Sequence, residues 1–369
     1  MNQLIQCILF GLCWVSVSWA LPREAFTRVS GVLGLAFLAW IDPFAAGILL
    51  VSSTTTFFAV HRITNQNGTW SLIMSVSLLT LLFAFKYGAL WIPLGMSYFI
   101  FRQIGYTLEV YKGEIKKGDY WTFLAYQTLV PVLFIGPIHR YKAFERDVRR
   151  RRWDPVVFNS GLMRIPEGIF KMAFMGNYVF SHLLPQYIDE LDGMAYVYCE
   201  SVRFVANTYF QFAGFSDVAI GLAAMGGIRV MENFNNPFLA QNISDFWQRW
   251  HISLSSWCRD YIYMPVFAST RNAAFALFLS IGLLAVWHAV TWNYLLWGLS
   301  HILATLVYRT WVNRGGQTWL RTLHPATLYI GHLFTFHFVV FSWSIIHFET
   351  LGAWIYFLKT GLSIHGTLL

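Results

Sequence analysis

Residues 232–265 read ENFNNPFLAQNISDFWQRWHISLSSWCRDYIYMP, and the reading of this stretch decides the fold. Asn233, Asn235, Asn236, Gln241, Asn242, Asp245, Arg249, His251, Arg259 and Asp260 are interleaved with Trp and Phe. A lipid-facing span does not tolerate that polar load, because hydrocarbon offers such groups no partners. A solvated loop would not be so aromatic. The stretch is therefore expected to lie at membrane depth, buried by surrounding helices or lining a wet cavity. Helical spacing sorts its side chains. Ser244 reads as an N-cap, and Asp245 as the partner of Arg249 one turn later. Phe246, Trp250, Leu254, Trp257 and Tyr261 form an apolar face, while Arg249, Ser253, Ser256 and Asp260 form a polar one. His251 projects between them. A purely structural helix with a hydrogen-bonded histidine fits these residues equally well.

The flanks explain why such a stretch belongs in a membrane. Of the 369 residues, 56% are hydrophobic and only 12% charged, about half the charge of a soluble domain. Segments at roughly 4–21, 70–90, 120–138, 156–184, 195–215, 272–291, 292–312, 325–347 and 350–365 have the apolar length of a span, about 20 residues. The first has no Lys or Arg before its apolar run, so it reads as a membrane helix rather than a signal peptide. Residues 30–60 are too long for one span and are interrupted by Asp42-Pro43, which predicts two helices. Segment 92–111 carries Arg102, Gln103 and Glu109 and is expected to face protein. The expectation is an all-α, polytopic membrane protein of about 10–12 helices in a single domain spanning 1–369.

The net charge of +8 is not a nucleic-acid signature. Seven basic residues lie in HRYKAFERDVRRRR, residues 139–152, opposed only by Glu145 and Asp147. A short basic loop between apolar segments reads as a stretch retained in the cytoplasm, with a nucleic-acid or anionic-lipid patch as the rival reading. The four cysteines have no metal-type spacing and are expected to be free thiols. No metal-ligand set is apparent.

In AVWHAVTWNYLLWGLSHI, residues 285–302, His288 ends an apolar run without a single charge. It lies 17 residues beyond Arg271, roughly 25 Å along a helix. An ionisable side chain at such depth points to function, whereas His301 reads as structural. A neutral imidazole accepts a proton from a hydroxyl and returns it to a leaving group. A transporter or channel with a midplane His/Asn path is the alternative, although the chain shows no internal repeat.

Taken together, several strings resemble the signature core of bacterial membrane-bound O-acyltransferases. They are IPLGMSYFIFRQIGYTLEVYKG (92–113), GPIHRY (136–141), FAGFSDVAIGLAAMGGIRVMENFNNPF (212–238), ISDFWQRWHISLSSWCRDYIYMP (243–265) and VWHAVTWNYLLWG (286–298). Their order matches the branch holding alginate O-acetyltransferases and the teichoic-acid D-alanyl transfer protein, over about 90–310. The resemblance implies a helical ring, with short re-entrant or buried helices around a central tunnel. It implies His288 and His251 as catalytic residues, His288 foremost, and Asn242, Arg249, Trp250, Asn236 and Asp217 as substrate-binding.

The resemblance also implies a multi-pass protein of the cytoplasmic membrane. The implied donor is a cytoplasmic thioester, either acetyl-CoA or an acyl carrier protein's phosphopantetheine, with no tightly bound cofactor. The acceptor would be an extracytoplasmic glycan or a partner acyltransferase, with membrane lipid as surroundings. Ala289 departs from the family's usual Gly after the catalytic His. GPIHRY and the chain length lean towards the D-alanyl branch, and MENFN towards the acetyl branch.

Overall fold

The computed structural model describes residues 2–62, 68–88, 92–115, 118–316 and 327–362. All regular elements among the described residues are helical. They fall into two compact units, Met1–Ile169 with Phe215–Glu232, and Phe170–Gly214 with Asn233–Leu369.

The first unit holds α1 (Asn2–Ala20), α2 (Arg23–Ile41), α3 (Pro43–Arg62), α4 (Gly68–Tyr87), α5 (Met96–Tyr111), α6 (Tyr120–Gln127), α7 (Tyr141–Arg150) and α8 (Pro155–Ile169). Asp42 breaks the 30–60 run as expected. Its backbone is extended, and its carboxylate accepts from Ala45 N at 3.0 Å and Leu94 N at 3.1 Å. Helix α5 does face protein. Arg102 is 1% exposed and donates to the carbonyls of Tyr126, Gln127 and Val132 at 3.0, 3.2 and 2.7 Å. These carbonyls satisfy a charge that would otherwise be expelled from an apolar interior. Helices α2 and α6 approach so closely that a Cβ on Gly34 would lie 1.9 Å from the Thr128 carbonyl oxygen.

Two expectations for this unit fail. Segment 120–138 is not one span. Helix α6 ends at Gln127 and a single 3₁₀ turn follows at Val130–Val132. Pro131 has no N–H to extend a ladder, and Gly136 takes a φ of 132°, which other residues rarely adopt. Nor is the basic stretch a loop. Most of it is helix α7, which buries Tyr141, Phe144 and Val148 on one face.

The second unit holds α9 (Leu184–Ile188), the first part of α10 (Gly193–Met225), α11 (Ile243–Arg249), α12 (Ile252–Cys258), α13 (Met264–Thr270), α14 (Ala273–His288), α15 (Trp292–Asn313), α16 (Thr327–His347) and α17 (Leu351–Leu362). Segment 156–184 changes pitch. Helix α8 contains Pro166, and Phe170–Leu183 then continues as a π-helix. Helices α14 and α15 form an antiparallel hairpin in which a Cβ on Gly298 would meet Ala285 Cβ at 2.8 Å. Such small-residue contacts bring membrane helices close.

Four helices among the described residues, within α2, α3, α4 and α16, are long and apolar enough to cross a membrane, and α1 and α14 are shorter apolar helices. The expected all-α, polytopic architecture with several apolar helices is what the described residues form. Elsewhere some apolar runs are divided into short helices, as at α6, or carry buried charge, as in α5, while α15 is one continuous helix of 22 residues. The expected ends at 89–90, 325–326 and 363–365 lie outside the described residues. Cys7, Cys13, Cys199 and Cys258 are free thiols.

Candidate active site

The stretch 232–265 is not one helix. Asn242, not Ser244, caps α11, with its side chain accepting from Asp245 N at 2.8 Å. The expected Asp245–Arg249 pair forms at 2.7 Å. The chain then turns sharply. Trp250 is extended and His251 is left-handed, with φ 44° and ψ 53°, before α12 begins at Ile252. Histidine is among the residues that tolerate this region, yet the conformation costs on the order of 1–3 kcal/mol and needs support.

Residues 233–235 supply that support. Ile252 N donates to Asn233 O at 2.9 Å, and Asn235 N donates to Arg249 O at 3.0 Å. Backbone groups freed by the break are thus paired, which irregular backbone in an apolar setting requires. The expected continuous apolar face from Phe246 to Tyr261 is accordingly absent.

The same segment fixes the His251 ring. Nδ1 lies 3.0 Å from Asn233 Oδ1, which also accepts from Ser253 Oγ at 2.8 Å. Phe212 packs edge-on against the imidazole at 4.7 Å. All three polar residues are buried, His251 at 6% exposure and the other two at 0%. An amide oxygen only accepts, so in the neutral ring Nδ1 carries the proton and Nε2 keeps the lone pair.

His288 has the opposite environment. It ends the 16-residue α14, and Ala289 continues in extended backbone. Its side chain is exposed. The ring stacks on Tyr294 at 5.6 Å and stands perpendicular to Trp297 at 6.0 Å. The turn into α15 is set by Thr291, which caps Tyr294 N. Trp297 continues the wall to Trp343 at 6.2 Å, and Trp343 reaches Trp250 at 4.6 Å. His301 is fully buried, with Nε2 3.1 Å from Ser342 Oγ.

The remaining site residues expected from the sequence have local duties. Trp250 is 4% exposed and stacks on Phe246 at 5.7 Å. Asn242 is a cap, and Arg249 holds Asp245 and reaches Asn235 O at 3.3 Å. Asn236 is exposed, takes a φ of 44° and opens the Pro237–Leu239 turn. These residues belong with the two histidines in the second unit. Asp217 belongs to the first, where Arg164 donates to it at 2.9 and 2.8 Å. Sequence reasoning missed the Asn233 acceptor and the Tyr294–Trp297 wall. Asn233 was visible as a polar residue, but its pairing with position 251 depends on the break.

A family model described as "MBOAT, membrane-bound O-acyltransferase family" matches residues 62–348. The chain belongs to the membrane-bound O-acyltransferase family. It is 33% identical over 269 residues to a probable alginate O-acetylase AlgI of Pseudomonas aeruginosa, covering 71% of this chain and 50% of that one. It is 32% identical over 273 residues to the teichoic acid D-alanyltransferase of Bacillus subtilis, covering 68% of each. A peptidoglycan O-acetyltransferase of Helicobacter pylori is 24% identical over 310 residues, covering 74% of this chain and 58% of that one. The chain spans about half the length of the alginate relatives it matches.

Proposed function

We propose that this chain is an O-acyltransferase of the cytoplasmic membrane. It moves an acetyl or D-alanyl group from a cytoplasmic thioester to a hydroxyl of an exported glycan or teichoic-acid-like polymer. The observation that carries the reading is the contrast between the two histidines. His251 is buried and locked by Asn233, whereas His288 is exposed at the end of an uncharged helix between aromatic rings. That contrast suits one positioning residue and one base that meets substrate.

In the reaction, His288 takes the acceptor hydroxyl's proton as its oxygen attacks the thioester carbonyl. The tetrahedral centre collapses, the carbon–sulfur bond breaks, and the proton passes to the departing sulfur. An ester and a thiol result. General-base help of this kind contributes about 10² to 10⁴ in rate. Holding hydroxyl and carbonyl in line contributes further, a task for the His251 ring and the Trp wall. The donor, acetyl-CoA or an acylated carrier protein, is a co-substrate and not a resident cofactor.

Purified protein supplied in turn with acetyl-CoA and with a D-alanylated carrier protein, each with polymer acceptor, should form ester with one donor. Failure with both, under conditions where a bacterial relative works, would reject the proposal.

A further inference from the structure

A cavity of about 610 Å³ in the first unit is lined by five arginines, Arg146, Arg150, Arg151, Arg152 and Arg229, and two aspartates, Asp147 and Asp154. Its size is that of a small-molecule site. What matters is which of these charges are already engaged.

Both carboxylates are. Asp147 accepts from Arg146 Nε at 3.2 Å and from the Arg229 backbone N–H at 2.8 Å. Asp154 accepts from Val156 N at 3.0 Å, at the start of α8. Arg151 is also engaged. It donates to Gly226 O at 3.0 Å and Ser18 O at 2.6 Å, and lies between the Trp19 and Phe26 rings, 4.1 Å from each. Burial lowers its pKa to about 10, which leaves it charged at neutral pH. Among the described residues, the guanidinium groups of Arg150, Arg152 and Arg229 have no carboxylate partner.

The cavity therefore holds a net charge of +3, with three exposed forks around it. Guanidinium forks match phosphate oxygens in pairs, whereas a lone carboxylate would engage only one of them. We propose that this cavity is a binding site for phosphate esters, with Arg150, Arg152 and Arg229 as its anion-binding groups. The proposal stands apart from the acyl-transfer reading and does not depend on it. A soluble phosphorylated metabolite and a lipid headgroup offer the same chemistry, and experiment separates them.

The test uses the full chain in neutral detergent. Calorimetric titration with pyrophosphate and with coenzyme A covers the soluble source. Native mass spectrometry after delipidation and addition of phosphatidylglycerol, against phosphatidylcholine, covers the headgroup. Binding of at least one phosphate probe is expected, and it should weaken as salt rises. R150Q/R152Q/R229Q should weaken it by at least about tenfold, since it removes all three guanidinium groups that have no carboxylate partner. Response to pyrophosphate or coenzyme A identifies a soluble ligand, and selective retention of phosphatidylglycerol alone identifies a headgroup. The singly substituted R152Q, expected to lose a few-fold, serves if the triple variant does not fold. Absence of binding by every phosphate probe, or equal binding by wild type and a folded variant, overturns the proposal.

Discussion

Removing the Asn233 amide should unlock the turn that carries His251. Its Oδ1 accepts from both His251 Nδ1 and Ser253 Oγ, and all three groups are buried. In Asn233→Ala two buried donors lose their acceptor, at about 1–3 kcal/mol each. Part of that cost is relieved by water or by relaxation, so a net loss of roughly 2–4 kcal/mol is expected. For a structural unit of this size that corresponds to a fall of roughly 5–10 °C in unfolding temperature. Asn233→Asp keeps an acceptor oxygen for both donors, and its added charge is compensated if the His251 ring takes up a proton from solvent at Nε2 to become imidazolium. It should unfold closer to wild type than the alanine variant does. Thermal unfolding of the two variants, purified in one detergent and followed by tryptophan fluorescence, makes the comparison. An Asn233→Ala protein that unfolds within about 1 °C of wild type would refute the reasoning. So would an Asp variant that falls as far as the Ala variant.

Other outcomes follow from the same structure. Gly34→Val should destabilise the protein by several kcal/mol, because even a Cβ would strike the Thr128 carbonyl and backbone there cannot step aside cheaply; expression and unfolding temperature report it. A cysteine at Lys142, exposed on α7, should resist an impermeant thiol reagent in intact cells and react after permeabilisation, and prompt labelling in intact cells would reverse the topology. His251→Gln should retain measurable acyl transfer while His288→Gln does not, since a residue that positions tolerates a hydrogen-bonding substitute better than a proton acceptor does. Rates at matched protein levels decide this, and the reverse order would reject the division of roles.

How much of this was legible from sequence depended on whether the deciding contacts were local. The α2–α3 break was readable because Asp42 precedes Pro43, and proline acts on its own neighbours. The inward face of α5 was readable because Arg102 and Gln103 cannot face lipid. The end of α6 was missed although Pro131 and Gly136 mark it, since the apolar run of 120–138 outweighed them. Helix α7 was missed for the opposite reason, as its basic residues hid the Tyr141, Phe144 and Val148 face. At the site, both histidines stood out as ionisable groups in apolar surroundings. The break at His251 did not, because no Gly or Pro sits there. It is imposed by residues 233–235, whose main chain pairs with Arg249 and Ile252, and a local helical period carries no trace of that pairing.

The central claim is that this chain transfers an acyl group with His288 as the base. The most direct test is the initial rate of ester formation by His288→Ala and wild type, under identical donor and acceptor concentrations. Matched unfolding temperatures should accompany the assay, because His288 is an exposed helix terminus and its loss should leave the fold intact. The account predicts a rate reduced about 10²-fold or more in a folded protein. A folded His288→Ala variant keeping more than about a tenth of the wild-type rate would contradict it.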